Sequence, residues 1–138
     1  MRDLTLGLAL GGGGMKGAAH VGVLGVLDEA GIAPGVVAGT SIGSLYGGLY
    51  AVGHSAQELD EGIRSCPWTD LASFFRHRLK IRHDNKLSRR FYGALAGQHI
   101  EHLPIRYAAT ASDMAEHRAI IIDRGPIIDA IEASIALP

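Results

Sequence analysis

Two short stretches hold residue types that could do chemistry together. The first is "GTSIG", in which Gly39 and Gly43 stand two positions either side of Ser41. This G-x-S-x-G pattern is one way hydrolases present a nucleophile. The serine sits on a tight strand-to-helix turn, and small neighbours let the two elements approach. A serine hydroxyl is a poor nucleophile until a base takes its proton, so the pattern asks for a partner. The second stretch is "GGGGMKG", residues 11–17. Consecutive glycine amides can converge on an oxyanion, and an acyl-transfer enzyme needs such donors where charge builds on the carbonyl oxygen. Losing one donor typically raises the barrier by about 3 kcal/mol.

Other uses of the glycine loop fit less well. Gly12, Gly14 and Gly17 satisfy the G-x-G-x-x-G spacing of a dinucleotide site. That site also needs an acid at the end of the following strand to hold a ribose. Here that strand ends in Ala38-Gly39-Thr40-Ser41, and Asp28 and Glu29 fall earlier, inside a helical stretch. A phosphate-binding Walker loop needs Gly-Lys-Ser/Thr, but Lys16 precedes Gly17 and Ala18 follows it. A tight helix-packing turn without chemistry is the bland alternative. Lys16 either adds positive charge near the oxyanion or is a solvated cation paired with a local acid.

The elements around these stretches suit the task of positioning them. Leu4 to Leu10 is an apolar run that predicts a strand buried on both faces. A helix is expected from Met15 to Ala30, with Val21, Leu24 and Leu27 on one apolar face and Val23, Val26 and Ala30 on another. Apolar over so much of its girth, it reads as a buried helix, ended by Gly31. Val36 to Ala38 form a second strand, and "IGSLYGGLYAVG" a second buried helix. Ser55 and Glu58 have the spacing of a capping box for a third helix reaching Arg64. Later, "RYAATASD" and "RAIIID" suggest strands, and "PIIDAIEASIALP" a last helix. Strands alternating with helices predict an α/β fold with a mainly parallel sheet.

The bulk composition sets limits. The chain has 138 residues, 47% hydrophobic and 20% charged, enough for one packed domain and too apolar for disorder. Nineteen glycines, about twice the usual share, cluster in the first third and suggest close backbone approaches. A formal charge of −1 points to no particular partner. With Cys66 as the single cysteine, an internal disulfide is excluded. No apolar run reaches the roughly 20 residues that cross a bilayer, and Asp3 and the early glycines make the start a poor signal peptide. A cytoplasmic protein is expected, with peripheral membrane association an open option.

The segments "LALGGGGMKGAAHVGVL" and "VVAGTSIGSLYGGLYAVGHSAQEL" resemble the patatin-like phospholipases, in the bacterial branch related to neuropathy target esterase. "HIEHLPIRYAATASDM" and "IIDAIEASIALP" are similar to later segments of the same family, so the resemblance spans nearly the whole chain. It implies a three-layer α/β/α sandwich, with residues 1–138 as the N-terminal portion of that domain. The implied activity is hydrolysis of acyl esters in phospholipids or lysophospholipids by a Ser–Asp dyad, without cofactor or metal. Ser41 matches the nucleophile. Gly12, Gly13 and Gly14 match the oxyanion loop, Lys16 its basic position, and Ile42 adds its amide after the serine.

One family element does not match. The family's base is an aspartate followed by Gly-Gly or Gly-Ala, placed after the "ASIALP" segment, and no Asp-Gly dipeptide occurs in this chain. Asp113, Asp123 and Asp129 lie before or within the last segments and do not fit that motif. The expectation is therefore that the aspartate lies beyond Pro138, and that these residues alone hydrolyse little or nothing. The alternative is an inactive relative or a lipid-binding module. Of the seven histidines, His20 reads as a packed, hydrogen-bonded structural residue. His77, His83, His99, His102 and His117 read as surface groups, and spacing does not favour a triad from Asp113 and His117.

From Arg76 to Arg90 the chain gathers seven of its thirteen Lys and Arg residues, with only Asp84 opposing them. This run either meets anionic lipid headgroups, with Phe74, Phe75 and Leu79 as apolar anchors, or is a solvated face. A nucleic-acid partner is not expected, because aromatics are not interleaved through the cluster. Acyl-chain preference and oligomeric state are not readable from the residues.

Overall fold

The structure is a computed structural model that describes residues 5–65, 67 and 86–136. Four strands form one sheet in the order β1 (Gly7–Leu10), β2 (Val36–Thr40), β3 (Arg106–Asp113), β4 (Arg118–Ile122). β1 runs parallel to β2, in register from Gly7↔Val36 to Leu10↔Gly39, and β2 parallel to β3, from Val36↔Arg106 to Thr40↔Thr110. The last pair is an antiparallel hairpin, Ala109↔Ile122 to Asp113↔Arg118. Among the described residues the α-helices are α1 (Ala18–Glu29), α2 (Ile42–Val52), α3 (Ala56–Arg64), α4 (Lys86–Leu95) and α5 (Ile127–Ile135). The expected α/β class and mainly parallel sheet are present.

α2 is the centre of the molecule. Every residue from Ile42 to Ala51 is buried, including three glycines and two tyrosines. Its glycines let it lie close to its neighbours. A Cβ on Gly47 would stand 2.9 Å from Val37 of β2, and one on Gly48 would stand 2.9 Å from Ile131 of α5. Side chains alternate along a strand, so Leu10, Val37, Tyr107 and Ala109 turn into this core while Ala9, Thr40 and Ile121 are exposed. The helices therefore lie against one face of the sheet among the described residues, giving two layers of the expected sandwich. Leu24, Leu45, Leu49, Ile127 and Ile131 are almost wholly buried. Each such side chain contributes roughly 1.5–3 kcal/mol relative to exposure.

Two expectations need correction. The first strand is Gly7–Leu10, and it is half-buried rather than buried on both faces. Among the described residues it is an end strand of the sheet, Gly7 and Ala9 are exposed, and Leu6 before it is 40% exposed. The first helix opens with a tight turn at Gly14–Gly17 and becomes α-helical at Ala18. Only its Val21–Leu24 face is buried. Val23 and Val26 are exposed because α1 packs on α3 and α2 and nothing described covers its outer side. Of the basic run, Lys86 to Arg90 open helix α4, whose Phe91, Tyr92 and Leu95 enter the core, and residues 76–85 lie outside the described residues. Phe74, Phe75, Leu79, Cys66, His77 and His83 lie outside the described residues.

Local signals at the helix ends hold. At Gly31, φ is +67°, Ile32 N–H donates to Leu27 O at 2.9 Å and Gly31 N–H to Asp28 O at 3.1 Å, a Schellman closure. The Ser55–Glu58 capping box forms in both directions. Asp28 then ties three helices together. Its carboxylate accepts from Tyr50 O–H at 2.6 Å and from Ala56 N–H at 2.9 Å. Burial and this bond push the Tyr50 phenol up to about 12.

Candidate active site

The parallel order brings the C-terminal ends of β1, β2 and β3 to one edge of the sheet, where ligands commonly bind in α/β folds. The chain leaves β1 through the glycine loop and β2 through Ser41, so the two sequence motifs arrive side by side. A Cβ built on Gly12 would lie 3.5 Å from Ser41 Cβ and 3.7 Å from Thr40 O. Gly12 and Gly13 are exposed, as an open loop beside a substrate would be. Gly14 takes φ +55° and starts the tight turn, in which Lys16 N–H donates to Gly13 O at 3.1 Å. Lys16 is exposed, and its ammonium makes no salt bridge among the described residues.

Close packing fixes the elbow. A Cβ on Gly43 would fall on the Leu10 carbonyl oxygen, and one on Gly39 on the Gly43 carbonyl oxygen and Ser44 Cα. Gly17 sits against Ile42, where a Cβ would stand 2.5 Å from Cγ2. Helix α2 can therefore begin directly at the end of β2 and beneath the glycine loop. Ser41 itself takes φ 53°, ψ −121°. This is a positive-φ conformation that non-glycine residues seldom adopt and that nucleophile elbows use. Ser44 N–H and Leu45 N–H both return to Ser41 O, at 2.9 and 3.3 Å. The Ile42 and Gly43 amides, in the first turn, have no intrahelical acceptor.

Side chains from three other elements complete the edge. His20 Nε2 lies 2.8 Å from Gly11 O and donates to it, which ties α1 to the start of the glycine loop and gives this residue a packed, bonded place. Thr40 and Thr110 hydroxyls bond across β2 and β3 at 2.6 Å. Ser134 of α5 accepts from Ser41 N–H at 2.7 Å. Sequence reasoning missed Ser134, Ser44 and Tyr107 at this site. The only available signal was a serine standing alone among apolar residues in two core helices.

Among the described residues, no carboxylate or imidazole bonds to Ser41 Oγ. Asp113 spends Oδ1 on the hairpin amides of Ala115 and Glu116, both at 3.1 Å, with Arg118 at 3.9 Å from Oδ2. It is a turn residue, and His117 occupies the same hairpin at φ 49°. Asp123 pairs with Arg124 in an exposed loop, and Asp129 is exposed in the first turn of α5. Among the described residues, no group of three or more His, Cys, Asp or Glu could hold a metal ion, and no helix is long and apolar enough to cross a membrane.

A mainly parallel sheet with its helices and a positive-φ serine turn beside a glycine loop defines an α/β protein. The sequence profile of the patatin-like phospholipases matches residues 8–138, and the chain belongs to that family. A patatin-like phospholipase domain-containing protein of Caenorhabditis elegans is 37% identical over 96% of this chain and 10% of its own length. A family protein of Mycobacterium bovis, grouped with neuropathy target esterase, is 35% identical over 95% of this chain and 37% of its own. A lysophospholipase of Coccidioides immitis is 30% identical over 96% of this chain and 9% of its own. The chain thus spans well under half the length of these relatives. Among solved structures, the type III effector ExoU of Pseudomonas aeruginosa, in complex with SpcU, shares the fold. Its TM-score is 0.59 at 16% identity, over 97% of this chain and 38% of that one.

Proposed function

We propose that this chain carries the nucleophile and oxyanion half of a lipid acyl-ester hydrolase acting on phospholipids or lysophospholipids. The observation that carries the reading is the strained Ser41 elbow beside the glycine loop. Family membership supports the lipid class, and the lysophospholipase among its relatives supports the substrate type.

In this reading Ser41 Oγ attacks the ester carbonyl carbon while its proton passes to a base. The carbonyl π electrons move onto oxygen, where amides of Gly12, Gly13, Gly14 and Ile42 hold the charge. As the carbonyl re-forms, the bond to the alcohol breaks, the alcohol takes the proton, and an acyl-Ser41 remains. Water, deprotonated by the same base, then releases the fatty acid. Lys16 adds positive potential near the oxyanion. Gly17, Gly39 and Gly43 act through packing alone. The proposed base is the dyad aspartate that the family resemblance sets after the segment ending at Pro138. The chemistry calls for no cofactor or metal. The site opens at the sheet edge, where a peripheral lipid surface could present its substrate.

The test is release of p-nitrophenol from its butyrate ester, and of fatty acid from lysophosphatidylcholine, by the full-length protein and its Ser41→Ala variant. Loss of at least about 1,000-fold in kcat is expected. Equal rates from the two proteins would sink Ser41 as nucleophile and favour a non-catalytic lipid-binding role.

A further inference from the structure

The elbow's geometry is not sustained by its own segment alone. A residue at positive φ without glycine's freedom persists only where its surroundings over-determine it. Both backbone polar groups of Ser41 are met by side chains. Its N–H donates to Ser134 Oγ at 2.7 Å, across 93 residues of sequence. Its carbonyl accepts from Ser44 O–H at 2.6 Å. The next carbonyl in this network, Ser44 O, accepts from Tyr107 O–H at 2.8 Å. Among the described residues, Ser44 and Ser134 are the two polar side chains buried beside the aromatic and aliphatic core, 0% and 8% exposed, and both bond to Ser41.

A buried hydroxyl in an apolar helix costs desolvation unless it is bonded. α5 otherwise presents Ile127, Ala130 and Ile131 to the core, so an alanine at 134 would fit its pattern. The hydroxyl bonds to Ser41, the one serine at positive φ among the described residues.

We propose that Ser134 is a positioning residue that holds the Ser41 peptide in its reactive conformation. This rests on the hydrolase reading above. The bond occupies the Ser41 amide, so that amide does not serve the oxyanion, and the donors are left to Ile42 and the glycine loop. Without the acceptor, the Ser41 peptide relaxes toward ordinary φ and carries Oγ away from the carbonyl carbon.

The test compares full-length wild type with Ser134→Ala, which removes the acceptor and little volume, and Ser134→Thr, which keeps a hydroxyl. Two quantities are read on each, the kinetics of p-nitrophenyl butyrate hydrolysis and the hydrogen exchange of the Ser41 amide by NMR. In Ser134→Ala we expect kcat to fall about 10- to 100-fold with KM unchanged. The Ser41 amide should exchange faster while the amides of β2 and the middle of α2 stay protected. Across the three proteins kcat should track Ser41 protection, whichever way threonine falls. An alanine variant with wild-type kcat or an equally protected Ser41 amide, or a threonine variant that restores protection without rate, overturns the proposal. A Ser41→Ala control that hydrolyses as fast as wild type would sink the hydrolase reading. Unchanged exchange in Ser134→Ala would sink the clamp alone.

Discussion

Ser41, Gly39 and Gly43 were legible as a unit because each has a steric reason that a motif encodes. The glycines stand where a Cβ would strike the Leu10 and Gly43 carbonyls, and the serine takes the turn between them. Ser134 was not legible, because its partner lies 93 residues away and only the packing of α5 brings it near. Tyr92 is a second residue whose state depends on tertiary packing. It is 4% exposed, its hydroxyl has no hydrogen-bond partner among the described residues, and burial, then Glu132, pushes its phenol well above the usual range. An unpaired buried hydroxyl destabilises the folded state. Tyr92→Phe should therefore raise unfolding stability, by about 1 kcal/mol, in a urea titration. A loss of similar size would mean that the hydroxyl is satisfied.

Among the elements, α3 shows how local rules act where burial is slight. Ser55 Oγ accepts from Glu58 N–H at 3.2 Å, and Glu58 accepts from Ser55 N–H at 2.8 Å. Ser55→Ala should cost about 1 kcal/mol of stability. The same bonds, led by the Ser55 backbone amide, hold the Glu58 carboxyl below its ordinary 4.5. A carboxylate lowered in the folded state stabilises above its unfolded pKa. That contribution is lost as pH falls through the lowered folded value. The thermal midpoints of wild type and Glu58→Gln should thus converge as pH drops below about 4.5, the unfolded carboxylate range. A gap that persists unchanged at low pH would mean that the Glu58 charge plays no part in the cap. The cap and the Gly31 stop were readable from four- and five-residue patterns. The burial of α1 was not. Its second apolar face promised a buried helix, but what lies outside a helix is decided by the rest of the fold. α4 hid for the opposite reason, since its arginines drew attention away from the Phe91, Tyr92, Leu95 spacing.

At the scale of the molecule, the alternation of strands and helices was enough to give the class and the parallel order, because crossover connections leave few topologies. Layer coverage was not given by that alternation. β1 is an end strand, paired among the described residues only with β2. Its sequence, Gly-Leu-Ala-Leu, carries no charge and no proline. Such a strand end is, in colloidal terms, a growth face. Its unpaired amides and carbonyls can accept another strand, and each addition presents the same edge again. Ala9 is exposed on this strand, so Ala9→Lys puts a charge on the growth face without entering the core. Light scattering should rise with concentration in wild type and stay flat in the lysine variant. The same rise in both would place polymer growth elsewhere. On this view the strand that leads into the glycine loop beside Ser41 also sets how concentrated the protein can be kept, because among the described residues one of its edges is unpaired.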